Sequence, residues 1–143
     1  MDERQSKIEP DLILAYKNTL FQANVGGEVI TLRVGERCPE LQEVFEQHSV
    51  TTACYITAYN PFGRLLSMRQ NQARNAKLKS DLAAKYPIFE GVGVDPEGEW
   101  EGEPSFLVLG VNLTEAEKLA ELHQQNAVVF VGTDFVPTLV FTR

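Results

Sequence analysis

The chain is expected to fold as α+β: a single domain whose mixed, mainly antiparallel sheet has about seven strands, with about four helices packed on it. Three observations predict this. Apolar residues alternate in Phe21, Ala23, Val25 and again in Ile30, Leu32, Val34, and Gly26-Gly27 between them supplies the positive φ angles of a hairpin turn. Helical stripes interrupt the strands, as in Leu41, Val44, Phe45 and His48 at i, i+3, i+4, i+7 spacing. No G-x-G-x-x-G follows a strand, and most neighbouring strands are joined by hairpin-length links, which sets a doubly wound dinucleotide fold aside.

Taken in order, Met1 to Glu9 are charged and expected to fray, and Pro10 opens a helix to about Asn18. After the first hairpin, Cys38-Pro39 opens a second helix, whose terminal His48 suits the dipole end better than a ligand role. Thr52 to Tyr59 is a third strand, apolar or aromatic on both faces and so placed centrally. Ser67 with Gln70 forms a capping box for a third helix, which stops before Pro87. Ile88 to Val94 and Ser105 to Val111 pair across a long acidic loop. Thr114 with Glu117 suggests a second capping box, followed by the stripe Ala116, Leu119, Ala120, His123 and by Asn126 as a C-cap. Strands at Val128 to Val131 and Phe135 to Phe141 close the chain, with Pro137 arguing for an edge or a bulge.

Composition narrows the function classes. A chain of 143 residues with 43% hydrophobic and 23% charged residues is an ordinary globular domain. Its net charge of −7 repels a phosphate backbone, so no extended nucleic-acid partner is expected despite the local cluster Arg64, Arg69, Arg74, Lys77, Lys79. No apolar run is long enough to span a membrane, and the N-terminus does not read as a secretory signal. Cys38 and Cys54 match no zinc or redox spacing, so no metal or cofactor is expected, and a cytoplasmic setting is the simplest.

The stretch from Thr57 to Leu82 holds the main functional signal. At 100° per residue, Met68, Asn71, Arg74, Asn75, Leu78 and Leu82 share one helical stripe, which is polar where it meets the Asn60-Pro61 turn. A strand end feeding a helix N-terminus suits an anion. Arg74 could anchor a carboxylate or phosphate, with Asn60, Asn71 and Asn75 orienting it; equally, Arg74 could tie the helix to the sheet through Glu90 or Glu103. Those two glutamates are the candidate catalytic carboxylates, their separation being undetermined by sequence. No nucleophile is evident, since Ser67 reads as a cap and Cys54 as core. Asp95, Glu97, Glu99, Glu101 and Glu103 recur at every second residue around Trp100, which must pack back on the domain or meet a partner. Gln125 is a further candidate ligand contact.

As an ordered set, Tyr16 and Thr19, T-A-Y-N-P, Asn71 with Arg74 and Leu78, F-E-G-V-G, W-E-G-E-P-S-F-L-V-L-G and Q-N-A-V-V resemble a bacterial domain family of unknown function, number 3293. The resemblance implies shared polar residues at Thr57, Asn60, Asn71, Arg74, Glu103, Ser105 and Gln125, and implies no reaction. The expected function is a polar pocket for a small anionic ligand, such as a nucleotide or another phosphorylated or carboxylated metabolite, with catalysis left open. The competing expectation is an acidic interaction module using the Trp100 loop, with a protein partner or a homodimer.

Overall fold

The computed structural model describes residues 8–143. Its order is α1 (Pro10–Asn18), β1 (Leu20–Val25), β2 (Glu28–Leu32), α2 (Glu40–His48), β3 (Ala53–Ile56), a 3₁₀ turn (Pro61–Gly63), α3 (Met68–Ala83), β4 (Ile88–Val94), β5 (Glu103–Leu109), α4 (Leu113–Leu122), β6 (Ala127–Val131) and β7 (Thr138–Phe141). The fraying expected of Met1 to Glu9 lies, for residues 1–7, outside the described residues. Ile8 is buried, and the Glu9 carbonyl accepts the first N–H groups of α1.

The α+β class holds, with all seven strands in one sheet of order β2-β1-β4-β5-β3-β6-β7. The sheet is antiparallel throughout rather than mixed. Connectivity explains this. The α3 crossover carries the chain from β3 to β4 over β5, and α4 carries it from β5 to β6 over β3, so each crossover skips one strand that runs the other way.

The two faces of the sheet carry separate cores. Ala23, Leu32, Tyr55, Leu107, Val129 and Val131 pack with Leu41, Val44 and Phe45 of α2 on one face, where α1 also docks through Ile13 and Phe141. Cys54, Ile56, Phe106, Val108 and Val128 pack with Leu78 and Leu82 of α3 and Ala116 and Ala120 of α4 on the other. β3 is therefore buried on both faces, as its sequence predicts.

The face bearing α1 and α2 is concave. β1 and β3 are three strand intervals apart, about 14 Å in a flat sheet. Yet the Tyr55 hydroxyl donates to the Gln22 carbonyl at 2.7 Å, and the rings of Phe21 and Tyr55 meet edge to face at 5.2 Å. The curl needs room at β4, and Gly91 provides it: a Cβ there would lie 1.9 Å from the Gln22 carbonyl oxygen. With Phe89 and Gly93, Gly91 forms the concave side of β4, so F-E-G-V-G is a bend written at every second residue.

Three local expectations change. β3 ends at Ile56, not Tyr59. The register of Ile56 opposite Phe106 would bring Ala58 opposite Pro104, which has no N–H to donate. α4 is capped by Asn112, whose side chain accepts the Glu115 N–H at 2.8 Å, rather than by Thr114. Its C-terminus closes on Gln124 at φ 57, with Gln125 N–H donating to Ala120 and Gln124 N–H to Glu121, so Asn126 is not the cap. Asn126 instead joins α1 to the C-terminal segment, donating to the Tyr16 hydroxyl and accepting from Arg143. The capping box of Ser67 and Gln70 forms as expected.

Candidate functional site

The α3 stripe stands where the β3–β5 ladder fails. Three main-chain groups at Ala58 and Pro104 need partners, and side chains of α3 supply them. The Asn75 carbonyl accepts the Ala58 N–H at 2.8 Å while its amide donates to the Pro104 carbonyl at 2.8 Å, a side-chain imitation of a ladder pair. Arg74 Nε donates to the Ala58 carbonyl at 2.9 Å, and its Nη2 to the His123 carbonyl at 2.7 Å. One turn earlier, Asn71 accepts the Asn60 N–H at 2.8 Å and donates to Asn60 Oδ1 at 2.8 Å. This holds a turn in which Asn60, Phe62 and Gly63 all have positive φ, a conformation asparagine and glycine tolerate and phenylalanine resists.

The splayed strand ends open a cleft of about 580 Å³ on the concave face. Its floor is Phe21, Tyr55, Ser105, Val129 and Leu139; one wall is Leu12, Ala15, Tyr16 and Thr19 of α1; the other is Tyr59, Asn60, Leu65, Leu66 and Asn71; the acidic loop with Trp100 closes the rim. Of the residues the sequence singled out, Thr57, Asn60, Asn71, Ser105, Gln125, Trp100 and Glu103 meet here.

Arg74, Asn75 and Glu90 do not line this cleft. Arg74 ties α3 to main-chain carbonyls and to the Gln124 side chain at 3.4 Å; it does not line the cleft, and among the described residues it pairs with no glutamate. Asn75 and Glu90 border a separate groove on the opposite face, where Glu90 accepts from Lys79 at 2.9 Å in an exposed ion pair. The two glutamates are therefore no acid–base pair. Glu90 stands opposite Phe106 and Glu103 opposite Gly93, which the pleat sends to different faces.

Glu103 is the chemically distinctive group of the cleft. Burial raises its pKa above the ordinary carboxylate value, and a hydrogen bond at 2.8 Å from the Asn60 amide partly offsets this. Tyr16 faces it across the cleft, its own pKa raised by burial. Elsewhere the buried His123 has its pKa lowered by burial, Arg74 and Lys77, opposed by Asp81, and its Nε2 lies 3.5 Å from the Asp81 carboxylate without a hydrogen bond. Both thiols are held in the protonated form: burial pushes the Cys54 thiol up to about 12, and burial with the Glu40 side chain pushes Cys38 up to about 11. Among the described residues no group of His, Cys, Asp or Glu is spaced to hold a metal ion, and no helix is long and apolar enough to cross a membrane.

Sequence reasoning missed the aromatic walls. Phe21, Tyr55 and Tyr59 read as ordinary strand residues, and Tyr16 entered only through the resemblance. The usable signal was Gly91 and Gly93, two side chains missing from one strand face.

The polar half of the cleft falls in one continuous stretch from Thr57 to Gln125. A family described as "Protein of unknown function (DUF3293)" matches residues 56–128. The chain belongs to this family. α1 and β1, which supply the apolar wall, precede the matched residues. No curated protein and no solved structure matches the chain.

Proposed function

We propose that this member of the family binds a small molecule in the concave cleft, with Glu103 as the polar anchor and the group able to take or give a proton. The observation that carries this is a half-buried carboxyl with, among the described residues, one side-chain donor, Asn60, lining a cavity large enough for a metabolite. The charge of the cleft bears on the ligand. Among the described residues Lys, Arg and His are missing from its lining whereas Glu99, Glu101 and Glu103 are present, which favours a neutral or cationic ligand over the anion expected from Arg74 and the α3 N-terminus. Two buried thiols and the acidic net charge support a cytoplasmic setting.

Gly93→Val tests the reading. A Cβ at Gly93 meets Thr19 Cγ2 at 3.7 Å and the Glu103 carbonyl oxygen at 3.9 Å, both ordinary contacts, so a branched side chain there fills the cleft while suiting the strand. In a metabolite screen by thermal shift, hits on the wild type should vanish in Gly93→Val. Hits that persist unchanged in the plugged protein would place binding elsewhere.

A second reading, an acidic interaction module, draws on the rim. Leu65 is 88% exposed and Met68 66% exposed beside Trp100. If it is right, Trp100→Ala and Leu65→Ser weaken self-association in sedimentation equilibrium or capture of a defined partner, and Gly93→Val does not.

A further inference from the structure

We propose that the cleft selects an organic cation: a primary ammonium group at Glu103, with an aromatic or apolar body lying among the ring side chains. This rests on the cleft being a ligand site and names the class of ligand. Hydrogen-bond capacity points to it first. Asn71 donates to Asn60 and to the Leu66 carbonyl, Gln125 to the Tyr59 and His123 carbonyls, Thr57 to the Pro104 carbonyl and Ser105 to the Glu103 carbonyl. These polar groups are turned to the protein's own main chain and, at Asn71, to the Asn60 side chain, whereas among the described residues the Glu103 carboxylate accepts one side-chain hydrogen bond, from Asn60. Among the described residues the charged groups of the lining are all carboxylates, Glu99, Glu101 and Glu103, so the complementary charged ligand group is a donor.

The walls point the same way. Tyr16, Phe21, Tyr55, Tyr59 and Trp100 line the one cavity, and the faces of such rings attract a cation that a carboxylate alone would hold less selectively. Three of the rings are held in place: Tyr55 by its bond to the Gln22 carbonyl and by Phe21, and Tyr16 by Asn126. An ammonium also offsets the cost of holding the Glu103 carboxylate partly out of water, because a positive group beside it favours the ionised form. An anion would add to that cost.

Three probes of one shape and different charge decide the matter: 2-phenylethylammonium, 2-phenylethanol and 3-phenylpropanoate, followed on the full chain by the indole signal of Trp100 and amide shifts of Gly93 and Ser105. The ammonium should bind at least about tenfold tighter than the alcohol, with the carboxylate weakest. Glu103→Gln should erase the difference between ammonium and alcohol, and Gly93→Val should reduce all binding. The wild-type ranking stands without any variant. An alcohol or carboxylate that binds as tightly as the ammonium, at the same resonances, overturns the cation assignment and leaves the ligand site intact. If neither these probes nor a charge-balanced fragment set moves those resonances, the ligand site fails together with the assignment.

Discussion

The two faces of the β4–β5 hairpin make different use of the same residue types. On the convex face Glu90 stands in solvent and pairs with Lys79, beside a partly exposed Val92. On the concave face, one pleat away, Gly91 and Gly93 remove side chains, the sheet closes over them, and Glu103 loses water and meets Asn60. A carboxylate becomes a solvated surface charge or a desolvated, hydrogen-bonded group according to the parity of its position and the curvature of the sheet around it. The comparison can be broken at the curl, at the splayed strand ends, at Glu103 and at Glu90.

The largest effect belongs to the curl. Gly91→Ala forces β1 off β4, because its Cβ would meet the Gln22 and Ala23 main chain rather than a movable side chain. A loss of about 3 kcal/mol or more is expected in chemical denaturation, with failure to fold as the extreme. Gly132→Ala is the control: a Cβ there has nothing within 4 Å and stability should stay within about 0.5 kcal/mol. Similar behaviour of the two variants would show that the concave face is not tightly curled at Gly91.

Next comes the tie at the splayed ends. Arg74→Ala leaves the carbonyls of two buried residues, Ala58 and His123, short of a donor and should cost about 2–3 kcal/mol. Arg74→Lys should recover little, since one ammonium cannot reproduce the planar fork that serves two carbonyls. A stable Arg74→Ala protein that has lost only ligand binding would instead restore Arg74 as an anion anchor.

These two variants also mark what the sequence could and could not reveal. The first hairpin, the helices and the Ser67–Gln70 box follow from local periodicity and turn chemistry, and they formed as expected. The polar stripe of α3 was visible as an anomaly, but its cause was not. Asn75 and Arg74 answer to Pro104, and that link exists only through the register of β3 on β5. Asn60 and Glu103, likewise, are 43 positions apart and meet through the splay the proline creates. Local pattern reports on one element at a time; the cleft is made by two strands that stop pairing.

Glu103 itself should show as a slope with pH. Its folded pKa is raised above the ordinary value near 4.5, so below that value the group is protonated in both folded and unfolded chains and costs nothing. As pH rises through the window up to the raised folded value, the unfolded chain releases its proton more readily, and the folded state loses stability. Above the window the loss is constant. Glu103→Gln removes this contribution, so the stability of the variant minus that of the wild type should rise with pH across the window and then level off. A flat difference from pH 4 to 8 in urea titrations would mean that Glu103 is as well solvated as Glu90.

The smallest effect is expected at Glu90, and it makes the comparison quantitative. Its partner Lys79 is held at 2.9 Å, but the side chains are 70% and 53% exposed, so solvent screens the pair and each long chain gives up rotamer freedom to keep it. Glu90→Gln and Lys79→Met should each change stability by less than about 0.5 kcal/mol, with the double-mutant coupling fading further as salt is raised. Ammonium binding should be unaffected by either, because Glu90 borders the groove on the other face. If Glu90→Gln weakened binding as much as Glu103→Gln, the sheet would not be separating the two carboxylates, and the distinction between its faces would have no chemical meaning.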